Sequence, residues 1–300
     1  MKKRYVLGVL SLLFVAAIMA LAVRGVHQPM DNDSTIAVVA GENVWGDIVR
    51  QIGGSKVRVT SIMNDPSADP HLYESNAHDA VAVARAKLVI VNGLGYDDFL
   101  TKLLAASPQS GRRVVNVAKI LHKANGANPH LWYDIPEMQQ VAQAFEEQLA
   151  EQDHADSAYF AANLDQFEQS LDPLLATIAQ IKTRYLGASV AYTERVPGYL
   201  LADAGLSIQT PSGFAASIED GNDPSLADQT TMEGLITGRH IRVLLYNVQA
   251  STPITQRLRM LAATAHVPVV GVSETMPKDE PSYQRWQQDQ LTALRTALQS

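Results

Sequence analysis

The 300-residue chain contains no cysteine. That absence excludes a disulfide scaffold, an iron–sulfur cluster, a thiolate zinc site and thiol catalysis. It also excludes a lipid anchor built on a cysteine at a signal boundary. A basic excess is missing too. Lys and Arg number 24 against 31 Asp and Glu, and the net charge of −7 argues against a nucleic-acid partner. Charged residues make up only 18% of the chain, and no block of one sign marks a membrane-surface patch. The sequence has no His-Glu-x-x-His, no Gly-x-Ser-x-Gly and no Walker A pattern. The common signatures of zinc hydrolases, serine hydrolases and nucleotide-binding enzymes are therefore absent.

What is present begins with an export signal. Met1-Lys2-Lys3-Arg4 is basic, Tyr5 to Val23 is a long apolar run, and Ala20-Leu21-Ala22 offers a small-x-small cleavage site. Residues 1–23 are read as a signal peptide, with an uncleaved single-helix anchor as the competing reading. Either leaves the body outside the cytoplasm, because Lys2, Lys3 and Arg4 precede the run. Residues 24–34 are polar and unpatterned, a linker.

The body alternates β-branched runs with helical patterns. Thr35–Val39, Val57–Ile62, Leu88–Asn92 and Val114–Val117 read as strands, with helix spacing over Asn43–Ile52, Ala77–Ala86 and Asp97–Ala105 between them. Near-continuous apolar runs flanked by helices are what a buried parallel sheet requires. From Glu137 to Tyr185 the strand signals stop and a helical pattern runs on, interrupted at Asp172-Pro173 and closed by Gly187. Strands then resume at Ser189–Thr193, Leu206–Thr210, Arg242–Asn247 and Val267–Val272, with helices over Val196–Ala204, Leu226–Thr237, Ile254–Ala265 and Pro281–Leu298. Pro211 to Pro224 reads as a loop. The expected fold is α/β: two lobes, 35–136 and 188–300, each a mainly parallel sheet flanked by helices. A long helical connector within 137–187 joins them.

One loop signature occurs twice. Asp69-Pro70-His71 is echoed 59 residues later by Asn128-Pro129-His130, each histidine followed within three residues by an aromatic side chain. Proline fixes φ near −65°, so the side chain after it leaves a stiffened turn. Two imidazoles on two rigid loops suggest a metal site. Ligands of parallel α/β sheets bind beyond the carboxyl ends of the strands. His71 and His130 lie in such loops in the first lobe. Glu194 and Glu274 follow strands in the second. Plainer readings exist for both acids: Glu194 starts a helix pattern, where a carboxylate is favoured, and Glu274 could face solvent. His78, His122, His154, His240 and His266 have no comparable context.

The segment from Asp69 to Asp98, with Pro-His-x-Tyr-Glu at Pro70–Glu74 and Asn92-Gly93, together with Asn128–Pro136, resembles the substrate-binding proteins of bacterial ABC importers for zinc, manganese and iron. Asn222–Ile236 is similar to that family's Glu-Pro-Ser helix start, and the likeness runs from about Ile36 to Leu298. It implies metal ligands at His71, His130, Glu194 and Glu274. Zinc-type members commonly have His at the third place, and Asp is common at the fourth. The family's Glu-Pro after the third strand of the second lobe is replaced by Asn247-Val248, and Asn247 is read as structural.

Two imidazoles and two carboxylates suit Mn²⁺, Zn²⁺ or Fe²⁺. Two negative charges cancel the ion, which avoids burying an unbalanced charge. Protein can fill all four places, whereas a hydrolytic site keeps one open for water. The expectation is therefore a monomeric solute-binding protein, not an enzyme, that hands one divalent ion to an ABC permease. A metal-dependent hydrolase and a binding protein for a metal chelate are the alternatives. Glu194 and the lack of a His-rich loop lean toward Mn²⁺ or Fe²⁺, while intrinsic affinity favours Zn²⁺.

Overall fold

A computed structural model describes residues 35–300. The signal segment and the linker read above lie outside these residues. The first lobe runs β1 (Ile36–Glu42), α1 (Asn43–Gly53), β2 (Val57–Met63), α2 (Ala77–Arg85), β3 (Leu88–Val91), α3 (Asp98–Ala106), β4 (Arg113–Asn116) and the short α4 (Val117–Ile120). Its strands pair in parallel in the order β2-β1-β3-β4. Every residue of β3 is buried, as expected for a strand covered on both faces. Val39, Val83, Val89 and Leu100 pack on one face, and Val38, Ile48, Leu88 and Phe145 on the other.

Three helices follow: α5 (Met138–Gln152), α6 (Ser157–Ser170) and α7 (Asp172–Tyr185). The break falls at Leu171, with Pro173 in the first turn of α7, where its missing N–H costs nothing. Helix α6 lies on α1, where Asn163 Nδ2 donates to the Ile52 carbonyl at 2.9 Å.

The second lobe runs β5 (Ser189–Tyr192), α8 (Gly198–Asp203), β6 (Ser207–Ile208), α9 (Ser212–Glu219), α10 (Leu226–Thr237), β7 (Val243–Asn247), α11 (Pro253–Thr264), β8 (Val269–Val272) and α12 (Tyr283–Gln299). Its parallel order, β6-β5-β7-β8, repeats that of the first lobe. Helix α7 meets α12 across Gln288 and Thr177. The protein is thus α/β, with two parallel sheets flanked by helices and a helical connection between them.

Two local expectations need correction. The strand expected over Leu206–Thr210 pairs only at Ser207 and Ile208. Beyond them, the Thr210 hydroxyl replaces the ladder, accepting from Tyr192 N at 2.8 Å and donating to Tyr192 O at 3.0 Å. The loop expected over Pro211–Pro224 contains α9, whose Phe214, Ala215 and Ile218 are buried at helical spacing. Ser212, Gly213 and Ser217 around them masked that stripe.

One buried cluster joins the lobes. It contains Trp45 and Leu131 of the first, Leu174 and Ile181 of α7, and Leu245 and Leu294 of the second. Polar contacts reinforce it. Tyr283 Oη donates to Trp132 O at 2.7 Å, Tyr133 Oη to Ser273 O at 2.8 Å, and Asn43 Nδ2 to Met276 O at 2.7 Å.

Candidate metal centre

The carboxyl ends of both sheets face each other across the lobe junction, and the candidate residues stand on the loops that leave them. Asp69 opens a single 3₁₀ turn over Pro70–Leu72, and its side chain accepts the backbone N–H of His71 at 2.9 Å. In the second loop Asn128 Oδ1 accepts the backbone N–H of His130 at 3.1 Å and lies 2.7 Å from His130 Nδ1. Asn128 Nδ2 donates to Arg195 O at 2.7 Å, which fixes the amide orientation. An oxygen facing Nδ1 makes that nitrogen an N–H donor, and Nε2 is the nitrogen turned toward Glu274.

Both imidazoles meet Glu274. Its Oε2 lies 3.1 Å from His130 Nε2 and 3.3 Å from His71 Nε2, and accepts from Tyr96 Oη at 2.8 Å. Among the described residues, ligand atoms of His71, His130 and Glu274 lie within 4.8 Å of one another. An ion with bonds of about 2.0–2.1 Å has tetrahedral edges of about 3.3 Å. The two nitrogen–oxygen separations fit that figure, so the donor set can hold a transition metal. Glu274 is fully buried, which removes its solvent-facing reading.

Glu194 lies outside this trio but next to it. It is also fully buried. The Asn247 amide connects the acids, donating from Nδ2 to Glu194 Oε2 and, at 2.7 Å, to Glu274 Oε1. Glu194 Oε1 is buried with no hydrogen-bond partner. The turn after β5 is held by the missed helix: Glu219 of α9 accepts Arg195 N at 3.0 Å and pairs with its guanidinium at 2.6 Å.

Charges here are strongly perturbed. Burial alone would raise Glu274, but hydrogen bonds from His130 and His71 outweigh it and hold the carboxyl far below its usual range. Burial would lower His71, but the bond and charge of Glu274 win and push it up to about 9. Burial, then the charge of Glu274, raises Glu194 to about 8, partly offset by Asn247. His71 is the ligand candidate nearest solvent, its side chain 24% exposed, whereas that of His130 is fully buried.

Sequence reading missed Tyr96 and Gln249, and it named Asn128 and Asn247 without their contacts to the candidate ligands. Gln249 Oε1 accepts the backbone N–H groups of Glu274 and Thr275, and its Nε2 reaches Ala68 O at 2.9 Å in the His71 loop. Tyr96 packs edge-on against both imidazoles, with ring centroids 5.7 and 5.6 Å away. Asn92-Gly93, just upstream of Tyr96, was the one nearby signal.

A family model, curated relatives and solved structures match the chain. The family model described as zinc-uptake complex component A, periplasmic, matches residues 38–297. The manganese-binding lipoprotein MntA of Halalkalibacterium halodurans is 28% identical over 144 residues, covering 46% of this chain and 47% of the relative. The manganese ABC transporter substrate-binding lipoprotein PsaA of Streptococcus pneumoniae is 26% identical over 181 residues, covering 56% and 58%. The chain spans about half the length of these curated relatives. Among solved structures, the periplasmic zinc-binding protein TroA from Treponema pallidum superposes with a TM-score of 0.74 at 21% identity, over 88% of this chain and 99% of that one. The SBP FpvC from Pseudomonas aeruginosa in complex with Mn²⁺ gives 0.74 at 19% identity, over 88% and 98%. At such identities the likeness shows the fold alone.

Proposed function

Because the chain belongs to the family of periplasmic zinc-uptake complex component A proteins, we propose that it is an extracytoplasmic solute-binding protein that captures one divalent transition metal ion between its lobes and delivers it to an ABC permease. Its ligands in this reading are His71 and His130 from the first lobe and Glu194 and Glu274 from the second. The ion is cargo, and Mn²⁺, Zn²⁺ and Fe²⁺ all suit the donor set. Residues 1–23 direct export, and cleavage or retention of that segment as a tether both leave the body outside the cytoplasm. Residues 137–187 carry the connection between a lobe at 35–136 and one at 188–300. The protein works as a monomer without nucleic acid.

The observation that carries the reading is the convergence of two imidazoles from one lobe on a single buried carboxylate oxygen of the other. Such a centre is complete only when both lobes are present, and four protein ligands leave no open place for a hydrolytic water. The test is elemental analysis of protein purified from its own compartment, with calorimetric titration and a hydrolase screen. One ion per chain and no turnover are expected. Turnover with bound metal would favour the hydrolase instead.

A further inference from the structure

Asn247, the last residue of β7, is completely buried between the two acids of the centre. Its orientation is set from outside the pair. The backbone N–H of Gln249 donates to Asn247 Oδ1 at 3.0 Å, so the NH₂ group must face the other way. Asn247 N is separately held by Thr193 Oγ1 at 3.0 Å. The two amide hydrogens are then both used, one on Glu194 Oε2 and one on Glu274 Oε1. The amide thus occupies one oxygen of each carboxylate and leaves the other to different surroundings. For Glu274 the oxygen that the amide leaves is Oε2, which lies beside both imidazoles and accepts from Tyr96 Oη at 2.8 Å. For Glu194 it is Oε1, buried and unpartnered.

We infer that Asn247 is a specificity-determining residue: by engaging one oxygen of each acid, it holds Glu194 and Glu274 to single-oxygen coordination and imposes a four-coordinate shell of two nitrogens and two oxygens. This rests on the reading of His71, His130, Glu194 and Glu274 as the ligands of a transported ion. Chelation through both oxygens of either acid would need that carboxylate to turn away from the amide. The freed N–H would then be left without an acceptor among fully buried side chains, a penalty of about tenfold or more in affinity. Zn²⁺ has no geometric preference from its d electrons and is satisfied by four ligands at tetrahedral angles. Mn²⁺ suits octahedral, oxygen-rich shells and is under-coordinated here. Asn247 therefore selects Zn²⁺ over Mn²⁺, opposite to the lean that Glu194 gives on its own. An aspartate of the same shape would offer no donor and would add a third buried negative charge.

The test uses the exported body with Co²⁺, Zn²⁺ and Mn²⁺ as probes. Four-coordinate Co²⁺ absorbs strongly in the visible, and six-coordinate Co²⁺ only faintly. The wild type should give the strong spectrum and prefer Zn²⁺ in competition. Asn247→Ala should weaken the Co²⁺ bands and raise the Mn²⁺ to Zn²⁺ affinity ratio by about tenfold or more, as the released acids chelate. A folded Asn247→Ala protein with an unchanged ratio overturns the inference and leaves the transport reading standing. A faint wild-type Co²⁺ spectrum overturns it without any variant, which covers the case in which Asn247→Ala does not fold. A wild type that binds none of the three ions removes the transport reading, and this inference falls with it.

Discussion

Proton release on metal binding is the most discriminating quantity the centre offers. In the absence of an ion, the pKa of His71 lies at about 9 and that of Glu194 at about 8. Both groups are mainly protonated at pH 7, and both must lose their proton to ligate. Metal uptake at pH 7 should therefore release about two protons per ion. Proton competition weakens apparent affinity by the product of (1 + 10^(pKa−pH)) over the two groups. With these values Kd rises about 50-fold between pH 8 and 7, and about 90-fold more between pH 7 and 6. Two ordinary imidazoles titrating near 6.5 would change Kd only about twofold over the first interval and about tenfold over the second. The interval from pH 8 to 7 is thus decisive. Calorimetry in buffers of different ionisation enthalpy counts the protons, and chelator competition gives Kd at each pH. A release below one proton, with Kd constant within about threefold from pH 8 to 7, would refute the coupling of His71 and Glu194 to Glu274.

Five further outcomes can be measured. His71→Ala and His130→Ala should each abolish tight binding by calorimetry with the circular dichroism spectrum retained, whereas exposed His240→Ala should bind as wild type. Asn128→Ala should weaken binding about 10- to 100-fold by freeing the His130 ring, a loss typical of a residue that orients a ligand. Chelator-treated protein should melt lower at pH 9 than at pH 6. Glu194 is raised from 4.5 and His71 from 6.5, so each stabilises fully below its unfolded value and loses that contribution as pH rises through about 8 and about 9. The lowered Glu274 works oppositely, its contribution present above 4.5 and lost only in strong acid. Metal at a thousandfold excess over Kd should restore about 4 kcal/mol, read as a rise in Tm. Small-angle scattering should show little compaction on metal addition, because one apolar cluster already joins the lobes.

The sheets were legible because burial leaves a plain mark on sequence. Leu88–Val91 and Val243–Asn247 are covered throughout, and covered parallel strands read as apolar runs. Edge strand β6 was read too long because Thr210 supports the chain with a side chain, a choice that composition does not record. The histidine loops were legible for a local reason, since proline and an Asx-type turn lie within two residues of each imidazole. Tyr96 and Asn247 were not, because what they do depends on partners 178 and 53 residues away. A tyrosine after a strand and an asparagine ending one carry no sign of the carboxylate each will meet. Asn247 was read as structural, and that reading gave no hint that its amide donates to both Glu194 and Glu274.

The same geometry bears on how so buried a centre would take up and release the ion proposed as its cargo. Glu194 and Glu274 are fully buried, and two ionised carboxylates there without compensation would be severely unfavourable. The raised pKa values supply the compensation. At neutral pH in the absence of an ion, one proton sits on His71 beside ionised Glu274 and another on Glu194. A divalent ion that displaces both exchanges two positive charges for two, so the net charge of the centre is the same before and after. No large desolvation penalty then opposes release, since the departing ion leaves behind groups that reprotonate rather than a bare pair of anions. His71, the ligand candidate nearest solvent, holds its proton beside Glu274 Oε2. A protein that gives up its ion intact gains from this arrangement. A fixed pair of buried anions would lack this proton competition and would hold its ion as tightly at pH 7 as at pH 9.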